Sequence, residues 1–196
     1  MGVFFFENAD CVFIHIPKTG GASIRHGLFK SNYLGPRYGA MPPEWRGKFA
    51  FCFVRNPFDR LISAWKMFTT GMERTRWTYP EDGDRTLSLS SFLDIVTDES
   101  AGNALARKTF NEKIRHHTIP QTHPLNNLAD ADFVGRFENF SDDLARIFVR
   151  IGMDMGPLPH LNRAVRKGYR TYFKDETRTR AEEFYAEDLA ELGYAY

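Results

Sequence analysis

Cysteine is scarce in this chain, long apolar runs are missing and neither sign of charge dominates. Only Cys11 and Cys52 occur in 196 residues, which excludes a disulfide-stapled framework. Both lie in or beside apolar, strand-like stretches and read as buried free thiols, suited to a reducing compartment. The apolar start Met1-Gly2-Val3-Phe4-Phe5-Phe6-Glu7 is too short, and lacks the basic flank, for a signal peptide or a membrane span. Lys plus Arg at 26 against Asp plus Glu at 25 leaves a net charge of +1, so no global field draws the chain to nucleic acid or a membrane surface. Anions must be held locally. No His, Cys and Asp cluster has metal-ligand spacing, and no internal repeat, linker or low-complexity segment stands out. What is present is a composition 42% hydrophobic and 15% aromatic, enough for one packed domain over residues 1–196.

The most informative stretch is Val12-Phe13-Ile14-His15-Ile16-Pro17-Lys18-Thr19-Gly20-Gly21-Ala22-Ser23-Ile24. A β-branched and aromatic run passes into Ile24, Leu28 and Phe29 at helical spacing, so the period changes from strand to helix across residues 17–21. The loop is expected at the carboxyl end of a strand. There the backbone N–H groups of Thr19, Gly20, Gly21, Ala22 and Ser23 would converge on an anion, favoured by the positive end of the helix dipole. Lys18 adds a full charge, while Gly20 and Gly21 permit positive φ and close approach to the backbone. The pattern G-x-x-x-x-G-K-[ST] of nucleoside triphosphatases is absent.

A second apolar run, residues 49–54, ends in Arg55-Asn56-Pro57-Phe58-Asp59-Arg60-Leu61-Ile62-Ser63, with Asn56 as N-cap and Pro57 as first helical residue. Residues 68–89 read as an aperiodic excursion. Ser90 or Ser91 is expected to cap a helix over 92–96, residues 131–137 form a third strand, Ser141 caps a helix over 142–148, and a last helix runs over 176–192. Three strands alternating with helices predict an α/β fold, a parallel sheet flanked by helices with ligand groups at the strands' carboxyl ends.

A triphosphatase needs a carboxylate after the second strand to hold Mg²⁺, and this chain carries Arg55 there. A guanidinium takes a phosphate with two parallel N–H bonds, and Ser63, two turns along the helix, can add a hydroxyl. That is a metal-free clamp for a phosphate monoester.

The segment I-H-I-P-K-T-G-G-A-S resembles the 5′-phosphosulfate loop of the sulfotransferases, especially the Golgi carbohydrate sulfotransferases and their bacterial relatives, and R-N-P-F-D-R-L-I-S resembles their 3′-phosphate motif. Residues 132–140, 158–162 and 169–173 are also similar to segments of that family. The resemblance implies a sulfotransferase fold akin to the P-loop nucleoside triphosphate hydrolases and transfer from 3′-phosphoadenosine 5′-phosphosulfate to a hydroxylated acceptor, with a saccharide as the acceptor class. By the same resemblance Pro17, Lys18, Thr19, Gly20, Gly21, Ala22 and Ser23 hold the 5′ end of the cofactor, and Arg55 and Ser63 its 3′-phosphate. Arg163, Arg166 and Lys167 lie over the 3′-phosphate or form a solvated basic face. The Golgi relatives carry a membrane anchor and stem; neither is visible here, so the expectation is a soluble cytoplasmic protein.

Negative charge would build on the leaving oxygen, where Lys18 acts, and the acceptor hydroxyl needs a base. Many relatives place a His before the second strand, but Tyr38-Gly39-Ala40-Met41-Pro42 has none. His117, in a His-x-x-Pro-Gln segment that also resembles the family, is the candidate catalytic base. The alternative is a structural His. Two rival functions remain: a kinase-like phosphotransferase, which would need a Mg²⁺ carboxylate, and a non-catalytic nucleotide- or carbohydrate-binding protein.

Overall fold

The computed structural model describes residues 2–69, 87–100, 104–156 and 167–196. The chain forms two compact units, Met1–Arg55 with Gln121–Arg166, and Asn56–Pro120 with Lys167–Tyr196.

The first unit is built on five strands, β1 (Gly2–Phe6), β2 (Cys11–His15), β3 (Leu34–Arg37), β4 (Phe49–Val54) and β5 (Phe133–Arg136), in the order β3-β1-β2-β4-β5. β2, β4 and β5 run parallel, as alternation of strands and helices requires. β1 is antiparallel to β2 and β3 antiparallel to β1, so the sheet is mixed rather than parallel throughout. The reason is local. Residues 7–10 reverse the chain after β1 in too few residues for a crossover, which forces β1 and β2 into a hairpin. β3 is exposed along its whole length, and its Gly35 and Pro36 are tolerated because it is an edge strand.

Phe4, Phe6, Cys11, Phe13, Phe51 and Phe53 share a core with Ile24 and Phe29, which follow β2, and with Leu144, Ile147 and Phe148 of α4 (Phe140–Arg150). Phe6 stacks on Phe29 with ring centroids 3.6 Å apart, and Phe29 meets Phe148 at 5.6 Å. Each such ring stabilises the unit by about 1.5–3 kcal/mol. Val12, Ile14, Ala50, Cys52 and Val54, at the alternate positions, are buried too, which explains why β2 and β4 read as continuous apolar runs. Burial pushes both thiols up to about 12, with Asp10 adding to the effect at Cys11, so they stay protonated.

The expected helix after β2 is a π-helical turn, Ser23–Leu28, in which the Phe29 N–H reaches back five residues to the Ile24 carbonyl (3.0 Å). That wide turn lets both Ile24 and Phe29 face the sheet. In α4 the N-cap is Asn139 without a side-chain bond, and Ser141 lies inside the helix rather than capping it.

The second unit packs α1 (Pro57–Thr69), α2 (Leu89–Thr97), α3 (Phe110–Thr118) and α5 (Asp175–Phe184) around Phe58, Leu61, Phe68, Phe92, Leu93, Ile114 and Tyr185, followed by α6 (Ala186–Glu191). Asn56 caps α1 as expected, its Oδ1 accepting from the N–H of Phe58 (3.0 Å) and of Asp59 (3.4 Å). α2 starts earlier than its expected caps: Ser88, not Ser90 or Ser91, accepts from the Ser91 N–H at 3.0 Å. α3 was not legible as a helix from its polar composition, yet Thr109 and Glu112 close a full capping box at its start. The expected last helix is split at Tyr185, whose backbone leaves the helical range. Among the described residues no helix is long and apolar enough to cross a membrane.

Candidate active site

The loop leaves β2 at its carboxyl end, beside the parallel strand β4. Lys18 holds a φ of 72°, a left-handed conformation rare for a lysine, and Gly20 a φ of 91°. Such backbone strain is characteristic of sites where geometry is imposed. The Thr19 hydroxyl donates to the Ile16 carbonyl at 2.7 Å and locks the turn, and Thr19 is fully buried. The Ser23 N–H donates to the Gly20 carbonyl at 3.0 Å, so of the amides expected to face an anion, that of Ser23 is engaged by the turn itself. Those of Gly21 and Ala22 lie at the head of the first helical turn, where no intrahelical acceptor exists.

The two glycines are needed for a reason beyond close approach of a ligand. A Cβ on Gly20 would stand 2.6 Å from the Phe140 ring, and one on Gly21 would stand 2.2 Å from the His15 ring. The loop is pressed onto aromatic side chains at the end of the sheet. His15 is thereby a packing residue, wedged near Phe4 (6.1 Å) and Phe13 (5.6 Å) between ring centroids.

Arg55 directly follows β4 and is 7% exposed. Its guanidinium donates from Nη1 to the Lys18 carbonyl (3.1 Å) and lies 4.1 Å over the Phe137 ring. Gln121 fixes its backbone from both sides, the side-chain oxygen accepting from the Arg55 N–H (2.9 Å) and the side-chain amide donating to the Arg55 carbonyl (2.9 Å). The structure therefore brings together the Lys18 loop and Arg55, the two cationic elements expected to hold anions. The assembled groups are N–H donors and cations, a set that fits an anionic ligand such as a phosphate or sulfate ester. Gln121 gives the last letter of His-x-x-Pro-Gln a physical task. Phe137 and Phe140 lie in the 132–140 segment that resembles the family, but no sequence signal assigned them a task beyond the core.

In the second unit, Ser63 lies on α1, partly exposed, and His117 on the last turn of α3. The His117 Nδ1 is 2.8 Å from the Lys113 carbonyl, and the ring meets Phe68 edge to face at 5.4 Å. A carbonyl only accepts, so Nδ1 carries the proton and Nε2 is the basic atom of the neutral ring. Its neighbour His116 is buried, with Nδ1 on the Ala104 carbonyl at 3.0 Å, and burial pulls its imidazole down to about 3. That makes His116 a neutral core residue. Lys167 is exposed; Arg163 and Arg166 lie outside the described residues, as do residues 70–86 of the aperiodic excursion and the segment 158–162.

A cleft of about 510 Å³ lined by Phe49, Asp132, Phe133, Arg146 and Arg150 opens at the amino ends of β4 and β5. It lies at the opposite end of the parallel strands from the loop and takes no part in this site. Among the described residues no group of three or more His, Cys, Asp or Glu side chains is arranged to hold a metal ion.

The sequence profile described as "Sulfotransferase family" matches residues 36–195. The chain belongs to the sulfotransferase family. The match includes Arg55, Ser63, His117 and Gln121 and begins after the Lys18 loop. A protein of Archaeoglobus fulgidus described as uncharacterized is 25% identical over 124 residues, 63% of this chain and 84% of that protein. No solved structure matches. Membership assigns sulfuryl transfer as the class of chemistry, and the mixed α/β unit with its parallel β2, β4 and β5 is consistent with a sulfotransferase fold.

Proposed function

We propose that this sulfotransferase, acting as one domain over residues 1–196, moves a sulfuryl group from 3′-phosphoadenosine 5′-phosphosulfate to a hydroxyl of a carbohydrate acceptor. The observation that carries the reading is the family match over 36–195, joined to the 3.1 Å bond by which its Arg55 holds the Lys18 carbonyl.

Lys18 and the Gly20, Gly21 and Ala22 amides neutralise charge that develops on the 5′-phosphate oxygen as the S–O bond breaks, a form of electrostatic stabilisation. Pro17, Thr19 and Ser23 shape that loop. Arg55 and Ser63 take the 3′-phosphate by the family motif, with Arg163, Arg166 and Lys167 as further cations toward it. His117 Nε2 accepts the proton of the acceptor hydroxyl as the new S–O bond forms, a contribution on the order of 10²–10⁴ in rate. The positive charge comes from side chains and amides, so no metal is required.

The test is calorimetric titration with 3′-phosphoadenosine 5′-phosphate, then sulfuryl transfer to a panel of saccharides with and without EDTA. Binding and chelator-resistant transfer are expected. Loss of turnover in EDTA, restored specifically by Mg²⁺ with ATP as donor, would establish the phosphotransferase instead; binding without turnover on any acceptor would leave a binding protein.

A further inference from the structure

α3 ends in a place where its carbonyls need partners. The last carbonyls of a helix have no intrahelical donor, and here they are met by buried side chains from two other elements. Arg60, fully buried on α1, donates from Nη2 to the His117 carbonyl (3.2 Å) and the Ile119 carbonyl (2.9 Å). Tyr185, fully buried where α5 gives way to α6, donates its hydroxyl to the Thr118 carbonyl between them at 2.6 Å. Three successive carbonyls are thus held by two side chains. Burial pushes the Tyr185 phenol up, so it remains a donor, and pulls Arg60 down, against which the buried Asp188 carboxylate and Tyr185 act in the opposite sense. The last helix splits at Tyr185, the residue whose phenol points inward to reach α3.

We propose that Arg60 and Tyr185 are positioning residues that brace the His117–Ile119 backbone and so keep the His117 ring on the Lys113 carbonyl, with Nε2 as its proton-accepting atom. The inference rests on the reading of His117 as the base. A helix end left to fray would release the Nδ1 contact, which spans a single turn back to Lys113, and the ring would drift toward the Nε2–H tautomer that predominates in free histidine. The base would then present a proton where it needs a lone pair. Arg60 belongs to the same helix as Ser63, three residues earlier, so the brace also ties the helix bearing Ser63 to the one bearing His117.

The experiment uses the full chain and three variants, Tyr185→Phe, Arg60→Lys and Arg60→Gln. Long-range ¹H–¹⁵N correlation of the imidazole nitrogens at alkaline pH reads the His117 tautomer, and steady-state kinetics and calorimetry read turnover and nucleotide affinity. The wild type is expected to show His117 as Nδ1–H. Tyr185→Phe is expected to mix in the Nε2–H form and to lower turnover about tenfold, the effect of one hydrogen bond, with nucleotide affinity unchanged. Arg60→Lys should retain more of both than Arg60→Gln. Variants that melt earlier yet keep the wild-type tautomer and turnover would overturn the proposal, leaving the brace purely structural. Should Arg60→Gln fail to fold, Tyr185→Phe carries the test, since it removes one oxygen. Full turnover by His117→Ala would overturn the base assignment, while the tautomer shift in Tyr185→Phe reports the brace by itself.

Discussion

Gly20 and Gly39 share a φ of 91°, but a Cβ on Gly20 would lie 2.6 Å from the Phe140 ring, whereas one on Gly39 would meet nothing within 4 Å. This pair separates backbone strain from steric clash. Gly39→Ala carries only the cost of a left-handed alanine, about 1–2 kcal/mol. Gly20→Ala carries that and an overpacking cost of about 1–3 kcal/mol. The ring cannot swing away freely, because Phe140 is held by Phe53 at 4.8 Å and Phe137 at 5.7 Å between centroids. At roughly 2–4 °C per kcal/mol for a chain of this size, Tm should fall by about 2–8 °C for Gly39→Ala and about 4–20 °C for Gly20→Ala. Thermal melts of both variants, of Phe140→Leu and of Gly20→Ala with Phe140→Leu complete a double-mutant cycle. The cycle should return a favourable coupling for the double variant and bring the Gly20→Ala cost close to that of Gly39→Ala. Equal melting temperatures for the two glycine variants would refute the claim that the loop is seated on Phe140.

Arg55→Ala and Ser63→Ala are each expected to weaken 3′-phosphoadenosine 5′-phosphate by about ten- to hundred-fold, the loss of a charged hydrogen bond of roughly 1.5–3 kcal/mol, while hardly affecting adenosine 5′-phosphate; equal weakening of both nucleotides in calorimetry would remove the 3′-phosphate assignment. Lys18→Met should lower the single-turnover rate far more than nucleotide affinity, since the amides and Arg55 still hold the ground state, and a proportional loss of both would make Lys18 a binding residue only. His116, brought down from 6.5 to about 3 by burial, is neutral when folded and protonated when unfolded across that window. Stability it supports is present above 6.5 and lost as pH falls toward 3, at a slope of about 1.4 kcal/mol per pH unit. Urea titrations over that range should show a shallower acid loss for His116→Asn, which retains an N–H donor for the Ala104 carbonyl; identical slopes would show that the imidazole does not govern it.

The strands that position the site were legible because β2, β4 and β5 are short β-branched and aromatic runs bounded by turn residues. β1 was not, because Phe4 and Phe6, buried toward Phe13, alternate with a half-buried Phe5 against Trp45 at 5.9 Å, so no period of two marks them. The α3 helix was hidden for the opposite reason: Ile114 is its one fully buried aliphatic residue, and the capping box is the stronger signal. Lys18 and Arg55 were readable as cations at strand ends. The partners that orient Arg55, Gln121 through both its amide atoms and Phe137 through its ring face, are 66 and 82 residues from it in sequence, a separation that no local period encodes.

The family match begins at residue 36, so it says nothing of the Lys18 loop, and the loop's place in the site rests on physical grounds alone. Those grounds run through Arg55. A residue inside the match donates to the carbonyl of a residue outside it, and that carbonyl belongs to a lysine held at a φ of 72°. Left-handed backbone at a non-glycine residue costs about 1–2 kcal/mol and persists only where surrounding contacts over-determine it. Here the contacts are identifiable: the Arg55 bond to the strained residue itself, the Thr19 hydroxyl on Ile16, and the Gly20 carbonyl receiving the Ser23 N–H. A loop with no function in common with Arg55 would gain nothing from being tied to a buried arginine whose backbone Gln121 and whose guanidinium Phe137 already hold. On the function proposed above, the strain at Lys18 is the cost of presenting its ammonium group and the following amides to the anion that Arg55 would also hold.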